Sequence, residues 1–102
     1  MNTAFETSDV SNSFKKDRYY IYILFSKKDH GLYIGFTTDL RQRLTQHSKG
    51  IVTATKERRP LLLIHYEYFI NKKDAKAREV YLKSGYGRQQ FHQILKNTIS
   101  HL

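Results

Sequence analysis

Apolar and polar positions divide the chain into six blocks. Tyr19 to Phe25 is an aromatic and β-branched run without a polar face, which predicts a central strand. Asp29-His30-Gly31 predicts a turn, and Leu32 to Phe36 predicts the second strand of a hairpin. Thr37, Thr38 and Asp39 offer N-caps for Leu40 to Ser48, whose spacing is helical and which Gly50 stops. Ile51 to Pro60 is a polar, basic loop, and Leu61 to Ile70 predicts a long third strand. Asn71 caps a helix over Lys72 to Lys83 that ends at Ser84-Gly85, and Gly87 to Thr98 predicts a last helix. The order is β-β-α-β-α-α. Strands joined by a short turn pair antiparallel, so the expected fold class is α+β rather than a doubly wound sheet. Met1 to Asp17 has no sustained period and is rich in Ser, Thr and Asn. It predicts a disordered tail (1–17) with Phe5, Val10 and Phe14 as its only anchors, ahead of one domain over 18–102.

Strand side chains alternate faces, so Tyr20, Tyr22 and Leu24 share one face, as do Tyr33 and Gly35 on the next strand. In the right register Tyr22 and Tyr33 become neighbours, and Gly35 leaves room beside them. At about 100° per residue Leu40, Arg43, Leu44 and His47 fall in one helical sector, in which Leu40 and Leu44 should face the core and hold Arg43 and His47 at the edge of the apolar stripe. A buried arginine is costly without a partner. Arg43 therefore pairs with a carboxylate or lines a cleft that binds anions. On the second helix Ala75, Arg78, Glu79 and Leu82 share a face. Glu79 is either the partner of Arg43 or Arg78 in a packing ion pair or a hard oxygen ligand for a divalent cation.

Charge narrows the function classes. The chain carries 18 Lys and Arg against 9 Asp and Glu, a net +9 over 102 residues, and a small domain this basic meets a polyanion. With no Cys, disulfides and thiolate metal sites are excluded. The longest apolar run of the third strand, Leu61 to Ile64, cannot span a bilayer, and no signal peptide is visible, so a cytoplasmic location with no membrane partner is expected.

Taken together, these residues resemble the GIY-YIG nuclease superfamily, most of all its small single-domain bacterial members, which are related to the N-terminal nuclease module of the UvrC repair protein. Tyr20-Ile21-Tyr22 stands at the first tripeptide, with Tyr20 in place of the initial glycine, and Tyr33-Ile34-Gly35 matches the second. Ten residues separate Tyr22 from Tyr33. The segment from Gly35 to His47 fits the helix signature and puts its arginine at Arg43 and its histidine at His47. Ala54-Thr55-Lys56, Arg58-Arg59-Pro60, Ala77-Arg78-Glu79 and Leu82-Lys83-Ser84-Gly85 match the pattern of small members. The resemblance implies a three-stranded antiparallel sheet flanked by helices and a metal-dependent DNA endonuclease. It implies a divalent cation, Mg2+ with Mn2+ as an alternative, on Glu79. Tyr22 or Tyr33 would help activate water, Arg43 would neutralise transition-state charge, and His47 would hold the tyrosine, relay protons or contact phosphate. The family's supporting asparagine has only Asn97 as a candidate, with Gln89, Gln90 and Gln93 nearer.

Lys49, Lys56, Arg58, Arg59, Lys83 and Arg88 are the expected phosphate contacts. The chain has no room for a base-reading module, so the expected DNA partner is recognised by structure or damage, in repair or recombination, or through a targeting protein. A non-catalytic nucleic-acid-binding module and a protein-interaction adaptor are the competing readings.

Overall fold

The computed structural model describes residues 18–102, so the expected tail at 1–17 lies outside the described residues. β1 (Tyr19–Ser26) is flanked by β2 (Leu32–Thr37) and β3 (Leu61–Phe69), both antiparallel to it, in the order β2-β1-β3. Ile21 through Ser26 are all buried, as an apolar run in the middle of a sheet requires. Among the described residues the helices are α1 (Leu40–Ser48), α2 (Lys72–Lys83), α3 (Gly85–Ile94) and α4 (Lys96–Ile99), with a 3-10 turn at Lys56–Arg58. The α+β class and the antiparallel three-stranded sheet are those expected.

The faces of β1 divide the molecule. Ile21 and Ile23, with Ile34 of β2, pack against Ala75 and Leu82 of α2 and Phe91 of α3. Each fully buried large apolar side chain there contributes about 1.5–3 kcal/mol. On the same side Glu67 of β3 accepts two hydrogen bonds from Arg78, both 2.9 Å, and tethers α2 to the sheet. Tyr20, Tyr22 and Leu24 point to the opposite face. Between Ile23↔His65 and Leu24↔Leu63 the register slips by one residue, leaving Ile64 as a bulge.

The hairpin turn uses His30, not Gly31, for its positive φ of 62°. The imidazole stacks on Phe25, with centroids 5.8 Å apart. Asp39 is the N-cap of α1 and accepts from the Gln42 N–H at 3.0 Å. At the other end Gly50 has φ 77°, and the N–H groups of Gly50 and Ile51 donate to His47 and Gln46 carbonyls at 3.1 and 3.0 Å, a Schellman closure.

Four expectations change. The third strand stops at Phe69 rather than Ile70. The basic loop contains the 3-10 turn. The single helix expected over Gly87 to Thr98 is two helices, beginning at Gly85 and interrupted at Leu95, where ψ reaches 24°. Ser84 allows the earlier start, because it ends α2 and its hydroxyl also accepts from the Gly87 N–H at 3.1 Å. Leu40 and Leu44 stay outside the main core. Leu44 instead lines a groove of about 630 Å³ with Leu24, Leu61 and Leu63.

Candidate active site

Tyr22 sits opposite Gly35, and its ring occupies the space that a side chain at 35 would need. A Cβ at Gly35 would collide with the ring and hydroxyl of Tyr22. The room that Gly35 leaves is thus filled by the tyrosine itself. Tyr33 lies one step along the same face, with its ring centroid 6.2 Å from that of Tyr22.

His47 comes down from the last turn of α1 onto both rings, in edge contacts at 5.5 Å to Tyr22 and 5.2 Å to Tyr33. Its Nε2 is 2.7 Å from the Tyr22 hydroxyl, and its Nδ1 is 2.6 Å from the Thr55 hydroxyl. Tyr22, His47 and Thr55 are 0%, 1% and 0% exposed, so this line of polar atoms is sealed from water. Both hydroxyls can donate or accept, so either neutral imidazole tautomer satisfies the line. Burial, reinforced by the charge of Arg43, lowers the His47 pKa to about 4, so the ring is neutral at physiological pH. Burial also pushes the Tyr22 hydroxyl up to about 12, against the opposing pull of Arg43, and keeps its proton in place. Tyr33 is only half-buried and is the more accessible of the two tyrosines.

Arg43 is half-buried beside this pair. Its guanidinium donates to the Gln46 side-chain oxygen at 3.0 Å, and no carboxylate among the described residues forms an ion pair with it. Of the two alternatives for Arg43, the carboxylate partner is absent among the described residues. Neither ion pair considered for Glu79 forms. Glu79 accepts from Lys76 at 3.2 Å and Lys83 at 3.0 Å, while Arg78 belongs to Glu67. Burial works against the Glu79 charge, but the bonds from Lys83 and Lys76 outweigh it and hold the carboxyl below its usual range. Among the described residues no group of three or more His, Asp or Glu gathers to hold a metal. One carboxylate is nevertheless the donor chemistry that suits a magnesium-type ion, which keeps most of its waters and takes phosphate oxygens. Tyr22, Tyr33, Arg43 and His47 are therefore brought together, and Glu79 on α2 is held by its two lysines.

Of the expected phosphate contacts, Lys49, Lys56 and Arg88 are exposed. Arg58 is bound in two places to Asp29, at 2.6 and 3.1 Å, and so ties the basic loop to the hairpin turn. Arg59 donates to the Lys56 and Ser48 carbonyls at 3.1 and 3.3 Å and packs on Gly50, closing the C-terminal end of α1. Lys83 is engaged by Glu79. Thr55 was not singled out by the residue patterns as a site residue. Its one signal was its place in the Ala54-Thr55-Lys56 motif.

A sheet carrying two tyrosines opposite a helix-borne arginine and histidine defines a class, and the match to known proteins agrees with it. The profile of the GIY-YIG catalytic domain matches residues 18–92, and the chain belongs to that family. Its relatives narrow the match to small UPF0213 proteins. One from Clostridium perfringens is 37% identical over 81 residues, covering 78% of this chain and 86% of the relative. One from Staphylococcus haemolyticus is 39% identical over 74 residues, covering 72% and 88%. The solution structure of the UPF0213 protein BH0048 from Bacillus halodurans superposes with a TM-score of 0.50 at 31% identity, covering 76% of this chain and 84% of that one. No helix among the described residues is long and apolar enough to cross a membrane.

Proposed function

We propose that the protein is a metal-dependent DNA endonuclease that hydrolyses phosphodiester bonds in structured or damaged DNA, as a cytoplasmic repair or recombination enzyme. The observation that carries this reading is Arg43, a half-buried cation beside Tyr22, Tyr33 and His47 that has no carboxylate partner among the described residues. A preorganised cation contributes most where charge develops, at the oxygens of the phosphorane-like transition state.

Tyr33, the accessible tyrosine, orients the attacking water. Tyr22 keeps its proton and, held by His47 and Thr55, fixes the floor against which Tyr33 and Arg43 are set. Glu79 would hold the divalent cation, Mg2+ or Mn2+, once the phosphate draws Lys76 and Lys83 away. Such an ion supplies Lewis acidity and lowers the pKa of bound water. Lys49, Lys56 and Arg88 contact flanking phosphates, and Arg58, Arg59 and Lys83 do so from positions they already hold for structural reasons.

Plasmid, flap, fork and single-stranded DNA, each with magnesium, manganese or chelator, test the reading. Cleavage that needs the ion is expected. Arg43→Ala is expected to lower the single-turnover rate about 10²–10³-fold with little loss of affinity. Arg43→Lys should recover little, since an ammonium lacks the planar fork. Glu79→Gln should abolish cleavage without unfolding the chain. The second reading, a non-catalytic DNA-binding module, is favoured by one observation, the neutralisation of Glu79 by two lysines. Tight binding with no cleavage under any metal would establish it and sink the first.

A further inference from the structure

The face of the sheet that carries Tyr22 continues into a row of tyrosines for which the proposed cleavage has no use. Tyr20 lies two residues before Tyr22 on β1 and therefore on the same face. Across the ladder Tyr68 pairs with Tyr20, and Tyr66 pairs with Tyr22 itself. The Tyr20 ring stands 6.2 Å from that of Tyr66 and 6.3 Å from that of Tyr68, both tilted by 55°. Tyr66 and Tyr68 remain 52% and 48% exposed, although they lie beside a sealed site. The Arg18 guanidinium sits 5.2 Å from the Tyr68 ring centre and is itself buried, 7% exposed.

We propose that Tyr66 and Tyr68, backed by Tyr20, form a base-stacking subsite for unpaired nucleotides next to the phosphate engaged by Arg43. Each exposed ring offers a flat π surface, and every base has a matching face. The two rings stand two residues apart on β3, about 7 Å along the strand, enough for each to take its own base. Arg43, half-buried beside Tyr22, supplies a cation for the strand's phosphates at that end of the row. In a duplex the base faces are hidden by stacking and only base edges are open. The subsite therefore accepts DNA only where bases are unpaired, and it sets the cut beside a flap, gap or single-stranded stretch. This substrate class rests on the endonuclease reading, whereas the stacking itself does not.

Binding is measured in chelator, so that no cleavage intervenes, with a fluorescent ten-nucleotide oligothymidine. Its blunt duplex and an abasic strand of equal length serve as controls. Tyr66→Ala and Tyr68→Ala should each weaken oligothymidine binding about 5- to 100-fold, from the usual cost of one lost base–aromatic stack. Both should leave duplex and abasic binding unchanged, and Tyr66→Phe should bind as the wild type does. Tyr66→Trp adds a reporter that needs no destabilising change, since the chain has no Trp of its own. Its fluorescence should be quenched by oligothymidine and not by the abasic strand. Equal losses on all three probes, or an unquenched tryptophan, would overturn the subsite. Cleavage that persists with an unquenched tryptophan removes the subsite alone. Quenching without cleavage in any metal removes the endonuclease reading alone.

Discussion

His47 is the residue on which the candidate site turns, because it joins three elements through two short bonds inside a dry space. Its pKa falls from 6.5 to about 4, chiefly through burial. Between those values the unfolded chain takes up a proton that the folded one refuses. The stability owed to neutral His47 is thus complete above pH 6.5 and is lost as the pH drops towards 4. The full difference is on the order of 3 kcal/mol. Melting curves from pH 7.5 to 4.5 should fall steeply for the wild type and less steeply for His47→Gln. Parallel curves would mean that His47 does not titrate this way. Thr55→Val should cost about 1–3 kcal/mol by leaving the buried Nδ1 without a partner, while Thr55→Ser should be nearly neutral. Threonine in a polar loop is ordinarily wet, and nothing in local spacing marks Thr55 as the one that meets a helix eight residues away. That contact exists only once the loop folds back beneath α1.

Among the elements, α1 depends most on its ends. It is nine residues long, too short to hold together by propensity alone, so its caps matter more than its interior. Asp39→Ala should cost about 1 kcal/mol. Gly50→Ala should cost about 1–2 kcal/mol for the left-handed backbone, with an added penalty because a Cβ would press on the Arg59 guanidinium. Arg59→Ala should therefore lower the melting temperature as well as DNA affinity. An effect on affinity alone would mean that its carbonyl bonds contribute nothing. The limits of this helix, the hairpin and α2 were legible in the sequence because caps, turns and periodicity agree there. The last helix was not, since Phe91 and Leu95 keep a helical spacing straight through the interruption at Leu95. Partners at long range were also hidden. Periodicity put Arg78 and Glu79 on one helical face, but only the β1–β3 register brings Glu67 to Arg78 and leaves Glu79 to its lysines.

At the scale of the molecule, a charge of +9 makes the proposed DNA binding chiefly a matter of counterion release. Affinity for unrelated sequences should fall steeply between 50 and 200 mM salt, and a flat response would remove phosphate contact as the main source of affinity. Strand order carries a further consequence, for synthesis on the ribosome. β1 is translated first of the three strands yet ends in the middle of the sheet, with its second neighbour supplied by residues 61–69. A nascent chain that has reached Pro60 can close the hairpin, but it leaves one side of β1 as an open row of amides and carbonyls flanked by bare aromatic rings. The row closes only when β3 emerges and pairs across some forty residues of chain, the slow kind of contact. Until then Tyr22 has no Tyr66 beside it. A chain cut short before β3 would be a sticky fragment, so the sheet face that carries Tyr22 is complete only after most of the domain has been made.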